Sequence, residues 1–255
     1  MLVNIECIKN MTKETLKTFI NKYYLGGTIE SVKLVVDNAS KTLKTNAITD
    51  DKNVLMSVVK NNFEDLTDAE IGVNDTSKLL KLLGVLGEEI TGEYNIHNGK
   101  MTSITLRDTN SDVQYVTADL SVIPAAPPLK KVPPFNVEIL LDGDFVSRFI
   151  ASKNALPDVD TFALLMNKKG TLEFVLGYSS INTNRIKLNI NTTAGKDTVA
   201  KTIHFNANHF KEILMANKDC SDAVLKISDA GLASVEFVCG EYTSNYYIVE
   251  TKSVD

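Results

Sequence analysis

Apolar residues recur along this chain in two periods, near 3.6 and near 2, and the switches between them mark out its elements. Residues 2–8, LVNIECI, alternate loosely and are expected to open a sheet. Thr12 then caps a helix over 12–24, where Leu16, Phe19, Ile20 and Tyr23 share one face and Lys13, Lys17 and Asn21 take the other. Gly26-Gly27 stops it. Three strand-like runs follow, SVKLVVDN, KTLKTNAIT and VLMSVVKN. A second helix is predicted over 76–86, capped by Asp75 or Thr76, with Leu79, Leu82, Leu83 and Leu86 apolar and Gly87 at its end. The strands ITGEYNIH, KMTSITLRD and VQYVTADL come next, the first two turned by Asn98-Gly99, a pair that tolerates the positive φ of a tight hairpin.

The pattern then breaks. In SVIPAAPPLKKVPP, residues 121–134, five positions are proline, which fixes φ and removes donors, so the stretch reads as an extended connector. Beyond it the same kinds of element return. A strand over 135–141 leads through Asp142 or Asp144 into a helix with Phe145, Phe149 and Ile150 on its apolar side, closed by Leu156-Pro157. TFALLMN, TLEFVLGYS and RIKLNINTT read as strands, the first two turned at Lys169-Gly170. TIHFN enters a helix from Ala207 that carries Phe210, Ile213, Leu214 and Met215. AVLKIS, SVEFVCG and SNYYIVET close the chain as strands, with Gly231 in the first turn.

The first anchors of the four helices, Leu16, Leu79, Phe145 and Phe210, stand 63, 66 and 65 residues apart, and FVSRFIASK maps onto FKEILMANK. The expected organisation is two similar domains, 1–120 and 135–255, joined by the connector 121–134. The fold class is α+β: two helices per domain packed on antiparallel sheets, with the polar sides of all four helices on one common surface.

Charge adds a function class. The chain holds 27 basic and 32 acidic residues, a net charge of −5, which by itself argues against nucleic acid. The four helical stretches (12–24, 76–86, 143–154 and 207–218) differ from the rest. They carry nine basic residues, Lys13, Lys17, Lys22, Lys78, Lys81, Arg148, Lys153, Lys211 and Lys218, against three acidic ones, Glu14, Asp144 and Glu212. That is +6, leaving 18 basic and 29 acidic residues, or −11, elsewhere. One basic, helix-lined surface on an acidic protein suits passive contact with a phosphate backbone, and lysine suits it as a mobile point charge. The blander alternative is that these side chains only solvate exposed helix faces.

Nothing in the sequence assembles catalysis, a cofactor site or a metal site. His204 and His209 are five apart, off a shared helical face, and His97 falls beside a hairpin turn. Cys7, Cys220 and Cys239 form an odd, scattered set and read as small hydrophobes in a reducing compartment. Asp142-Gly143-Asp144 lacks the later ligands of a calcium loop, and Asp50, Asp51, Asp158 and Asp160 read as solvated turns. No glycine-rich phosphate loop or nucleophile elbow occurs. No apolar run reaches a membrane-spanning length and the first residues do not pattern as a signal peptide, so a cytoplasmic location is expected.

The helix-plus-strands unit occurring twice in each half, the crossover VIPAAPPLKKVPPF, the FxxxF start of the helix after it and the terminal NYYIVET together resemble a DNA polymerase sliding clamp. The likeness runs over nearly the whole chain. It is closest to the clamp of T4-like bacteriophages and more distant to eukaryotic and archaeal PCNA. The resemblance implies a homotrimer forming a closed ring around duplex DNA, helices inside and sheets outside, that tethers a DNA polymerase as a processivity factor. It implies no reaction, loading by an ATP-driven clamp loader, and a further part in late transcription through transcription factors. It places a partner-peptide pocket at Val122, Ile123, Leu129, Val132, Leu141, Tyr246, Tyr247 and Ile248. It sets the subunit contact between strand 113–120 (Val113, Tyr115, Thr117) and strand 185–191 (Ile186, Leu188, Ile190). The competing readings are a monomeric, open-face processivity factor and a non-enzymatic viral structural or adaptor protein.

Overall fold

A computed structural model describes residues 2–63, 67–129, 131–167, 171–179, 183–190 and 199–251, and for residues 2–10 the backbone alone. The turn expected at Lys169-Gly170 and the strand end expected at Asn191 lie outside the described residues. In chain order the elements are β1 (Leu2–Thr12), α1 (Lys13–Tyr24), β2 (Val32–Asp37), β3 (Thr42–Ile48), β4 (Val54–Lys60), β5 (Ala69–Val73), α2 (Thr76–Leu83), β6 (Glu89–His97), β7 (Lys100–Arg107) and β8 (Asp112–Val116). The order is then repeated by β9 (Val137–Asp142), α3 (Gly143–Ala155), β10 (Thr161–Met166), β11 (Leu172–Leu176), β12 (Ile186–Ile190), β13 (Ile203–Asn206), α4 (Ala207–Ala216), β14 (Asp222–Ser228), β15 (Leu232–Cys239) and β16 (Tyr242–Val249).

Two compact units result. The first comprises Met1–Ile48, Met56–Ala126 and Gly240–Ser244; the second comprises Thr49–Leu55, Pro127–Cys239 and Asn245–Asp255. The division falls inside the proline-rich stretch, and the short segments 49–55 and 240–244 each count with the unit of the other half.

The repeat extends to strand order. Strands neighbour one another as β1-β6-β7-β8 and β5-β2-β3-β4, and again as β9-β14-β15-β16 and β13-β10-β11-β12. In each set a strand that enters a helix, such as β1 or β9, joins the three strands that follow the other helix. The helix starts repeat as well. Thr12 Oγ1 accepts from the Thr15 amide at 3.2 Å, Asp75 Oδ1 from Lys78 at 2.7 Å, Asp142 Oδ1 from Phe145 at 2.7 Å and Asn206 Oδ1 from His209 at 2.9 Å. Each cap satisfies a first-turn N–H that has no partner within the helix.

Three local expectations need correction. β5 falls in a stretch where no strand is predicted, and it contains Gly72. The glycine is there because the chain passes too close for a side chain: a Cβ on Gly72 would lie 2.3 Å from the Ala118 carbonyl, and the Ala118 amide donates to Gly72 O at 2.9 Å. α2 ends at Leu83, and single tight turns carry the chain on to Leu86. β8 ends at Val116 instead of Leu120, since Asp119 caps a short 3-10 turn over Leu120–Val122.

The cores differ between the units. In the first, α1 buries Phe19, Ile20 and Tyr23 and α2 buries Leu79 and Leu83. A cavity of about 60 Å³ remains among Leu16, Phe19, Leu79, Leu83, Tyr94 and Tyr115. In the second, Phe145 and Phe149 of α3 meet Phe210 of α4, Phe162 and Phe174 in a continuous ring cluster, with Phe149 edge-on to Phe210 at 4.7 Å.

Candidate nucleic-acid interface

The nine basic residues expected on one surface separate by burial. Lys78, Lys81 and Arg148 are exposed on α2 and α3, and Lys218 is exposed in the turn after α4. Arg148 pairs with Asp144 one turn earlier on its own helix. Lys17 is half-buried, 3.8 Å from Glu14, and Lys211 lies 3.7 Å from Glu212. Lys13 is half-buried and its ammonium donates to the Leu86 carbonyl at 2.6 Å, tying the start of α1 to the turn after α2.

Lys22 and Lys153 do not belong to the surface. Lys22 is 1% exposed, with its ammonium 5.5 Å from the centre of the Tyr242 ring. Lys153 is 4% exposed and donates to the carbonyls of Leu156 (3.5 Å) and Pro157 (2.8 Å), where it satisfies acceptors at the C-terminal end of α3. Both occupy the last turn of their helix, where a cation favours the negative end of the backbone dipole, and both serve the fold. Seven basic residues thus remain against Glu14, Asp144 and Glu212, a surplus of four per chain.

The proposed pocket residues divide in the same way. Val122 is 67% exposed, Leu129 and Val132 are exposed, and Ile123 is buried. Leu141, Tyr246 and Ile248 are core residues, and the expectation that they line an open pocket is corrected. Strand parity is the reason: 246 and 248 share the inward side of β16, where the Tyr246 hydroxyl accepts from Asn217 Nδ2 at 2.9 Å, while Tyr247 falls on the other side. The same parity exposes residues that went unnoticed. Leu140 on β9 is 61% exposed, and Val238 and Val249 are exposed on β15 and β16.

β8 and β12 each end a run of paired strands. On β8, Val113 and Tyr115 point inward and are buried, whereas Gln114 and Val116 are exposed, with Val116 at 71%. Thr117 lies beyond the strand, its amide donating to Thr102 O at 3.1 Å. On β12, Ile186, Leu188 and Ile190 are half-buried and alternate with exposed Lys187 and Asn189. An open groove of about 420 Å³ runs along Lys187–Ile190, faced by Asp142, Asp144 and Arg148.

Elsewhere the acidic turns and the cysteines are more organised than expected. Asp51 is held by its own turn, with Thr49 and Asn53 donating to it, and lies 2.7 Å from His209 Nε2. Burial pushes its carboxyl upward, but the hydrogen bonds from His209, Thr49 and Asn53 outweigh this and hold it well below the usual carboxylate range. Asp119 is likewise held low, first by Lys100 at 2.8 Å and then by the Ser121 amide and hydroxyl, which fixes the start of the connector. Cys220 and Cys239 are half-exposed neighbours of Asp219, so the reading of them as scattered small hydrophobes does not hold.

In sequence, no known family profile and no curated protein matches the chain. In structure, single chains of PCNA do, over nearly their full length. A PCNA from A. fulgidus, solved with the C-terminal region of FEN-1 bound, superposes over 100% of both chains with a TM-score of 0.74 at 13% identity. The Proliferating Cellular Nuclear Antigen of Entamoeba histolytica gives 0.71 at 13% identity over 98% of each chain. A chain of the PCNA2-PCNA3 complex from Sulfolobus tokodaii gives 0.69 at 12%, over 98% of this chain and 99% of that one. With an α+β order of helices and antiparallel strands that repeats between its units, the chain has the fold of the PCNA-type DNA clamps.

Proposed function

We propose that the chain is the subunit of a sliding clamp, a trimeric ring that encircles duplex DNA and tethers a replicative polymerase. The observation that carries the reading is the fold likeness to PCNA along the full length, at 100% coverage of both chains. Two features of the chain support it: the basic surplus on the helices of an otherwise acidic protein, and the edges that β8 and β12 leave for another copy.

Function in such a ring follows from topology. DNA threaded through a closed ring cannot leave sideways, so the lysines need only weak contacts with phosphates. Weak contacts without base readout permit sliding, and their salt dependence reflects released counterions. The ring performs no chemistry, and an ATP-driven loader opens it. The A. fulgidus relative was solved with the C-terminal region of FEN-1 bound, which supports client segments docking on such a subunit; on this chain the exposed apolar side chains of Val122, Leu129 and Val132 would receive one. A phage-type setting, in a host cytoplasm and with a further role in late transcription, is the version that the sequence resemblance favours.

Retention on DNA tests the reading. Clamp loaded onto a closed circle should stay bound through gel filtration in moderate salt and be lost when the circle is cut once. Equal retention on circular and linear DNA would instead fit an open-face monomer, and a chain that neither loads nor extends polymerase runs would fit a structural adaptor.

A further inference from the structure

The geometry points to a thiophilic metal site of the zinc class in the second unit, built by Asp219, Cys220 and Cys239. The two cysteines are 19 residues apart and unremarkable in sequence. The β14–β15 hairpin brings them together: its register pairs Val224 with Glu236, and continuing it outward sets Cys239 opposite Ser221, the neighbour of Cys220. Asp219 supplies a carboxylate from the same turn.

The donor atoms have metal-site spacing. Cys239 Sγ lies 3.5 Å from Asp219 Oδ2, Cys220 Sγ lies 3.9 Å from Asp219 Oδ1, and one donor atom from each of the three residues falls within 4.8 Å of the others. Zinc bonds of about 2.3 Å to sulfur and about 2.0–2.2 Å to oxygen, arranged tetrahedrally, require donors roughly 3.5–3.8 Å apart. Small side-chain adjustments therefore close the triangle around a cation. Two thiolates make the set soft, which selects zinc, cobalt or cadmium over calcium or magnesium. The thiol protons now directed at Asp219 would be the ones released as the metal binds, with the sulfur lone pairs turning to the cation. Asp219 is exposed and both cysteines are half-exposed, so a fourth position is left to water. Such a site would clip the turn after α4, which carries Lys218, to the end of β15.

The test uses the full-length protein, reduced and stripped with a chelator, and cobalt as the probe. One cobalt per chain should bind with a sulfur-to-metal charge-transfer band that zinc abolishes. Cys220→Ser and Cys239→Ser should each lose most of that band, while Cys7→Ser keeps it. Asp219→Asn should retain thiolate absorption but bind at least about tenfold more weakly, the lower range for a lost supporting group. Zinc should also shield Cys220 and Cys239 together from alkylation. Circular dichroism confirms that each variant is folded. Absence of the band in reduced wild type, its persistence in Cys239→Ser, or unchanged affinity in Asp219→Asn would each overturn the site, as would a Cys220–Cys239 disulfide forming equally fast with and without zinc.

Discussion

The ammonium of Lys22 sits 5.5 Å from the centre of the Tyr242 ring, and Lys60 lies at the same distance from that ring. The Tyr242 hydroxyl donates to Thr15 O at 3.1 Å, so one aromatic ring fastens α1 to the segment 240–244 of the first unit. Glu241 completes the arrangement by pairing with Lys60, which draws the glutamate's pKa below its ordinary value.

Tyr242→Leu keeps the bulk but removes the ring face and the hydroxyl. It should cost about 1–3 kcal/mol, the scale of a desolvated cation–π contact plus one hydrogen bond. Lys22→Ala should lower the melting temperature in the same way yet leave the salt slope of DNA binding unchanged. A reduced slope with unchanged stability would return Lys22 to the DNA surface. Denaturant melts and binding titrations at several salt concentrations separate the outcomes.

Asp51 gives the chain an acid-sensitive joint between the turn at 49–53 and the start of α4. Its folded pKa lies below its unfolded one, so its contribution is present above the ordinary carboxylate range and disappears as pH falls through the folded value. Asp51→Asn should therefore be less stable than wild type at pH 7, and the gap should narrow steadily below about pH 4, near the unperturbed aspartate value. Melting curves across that range check it; a gap that widens on acidification would contradict the sign.

The cavity in the first unit marks where the repeat is imperfect. Leu16 and Leu79 line it, and the matching anchors in the second unit are Phe145 and Phe210, which fill their core. Leu79→Phe should stabilise the chain by up to about 1.4 kcal/mol, from roughly 24 cal/mol for each Å³ of a cavity of about 60 Å³. A loss of stability would mean that the space is too narrow for a ring.

Much of this arrangement was legible in the sequence, for identifiable reasons. Caps at Thr12, Asp75 and Asp142 carry short polar side chains before apolar helical runs, and the Asn98-Gly99 turn has its expected positive φ at both residues. The spacing of Leu16, Leu79, Phe145 and Phe210 announced the repeat that strand order then displayed. What was hidden depended on tertiary placement and on the phase of the strand pleat. Lys22 and Lys153 look like solvated charges until Tyr242 and the Pro157 carbonyl are in place. The residues around Gly72 do not announce that Ala118 crosses it. Leu141 and Leu140 are indistinguishable by composition, and only the pleat decides which one faces outward.

The last prediction concerns the open edge of β8. Antiparallel pairing alternates, so residues bonded to the neighbouring strand take turns with residues whose backbone points away. The Thr117 amide donates inward to Thr102 O at 3.1 Å, and on the same register Tyr115 and Val113 also face β7. The amides of Val116 and Gln114 are therefore the ones turned to the free edge. Val116→Pro removes one outward donor and places a ring there, without touching a bond to β7. If that edge pairs with β12 of another copy, wild type should scatter light as a particle near 84 kDa, three chains of 28.0 kDa, and the variant should move toward 28.0 kDa with an unchanged dichroism spectrum. Asn189→Pro on β12 should act from the other side of the same contact. Wild type that stays monomeric well above micromolar concentration, or a Val116→Pro variant that keeps the full mass, would show that these strands do not close a ring.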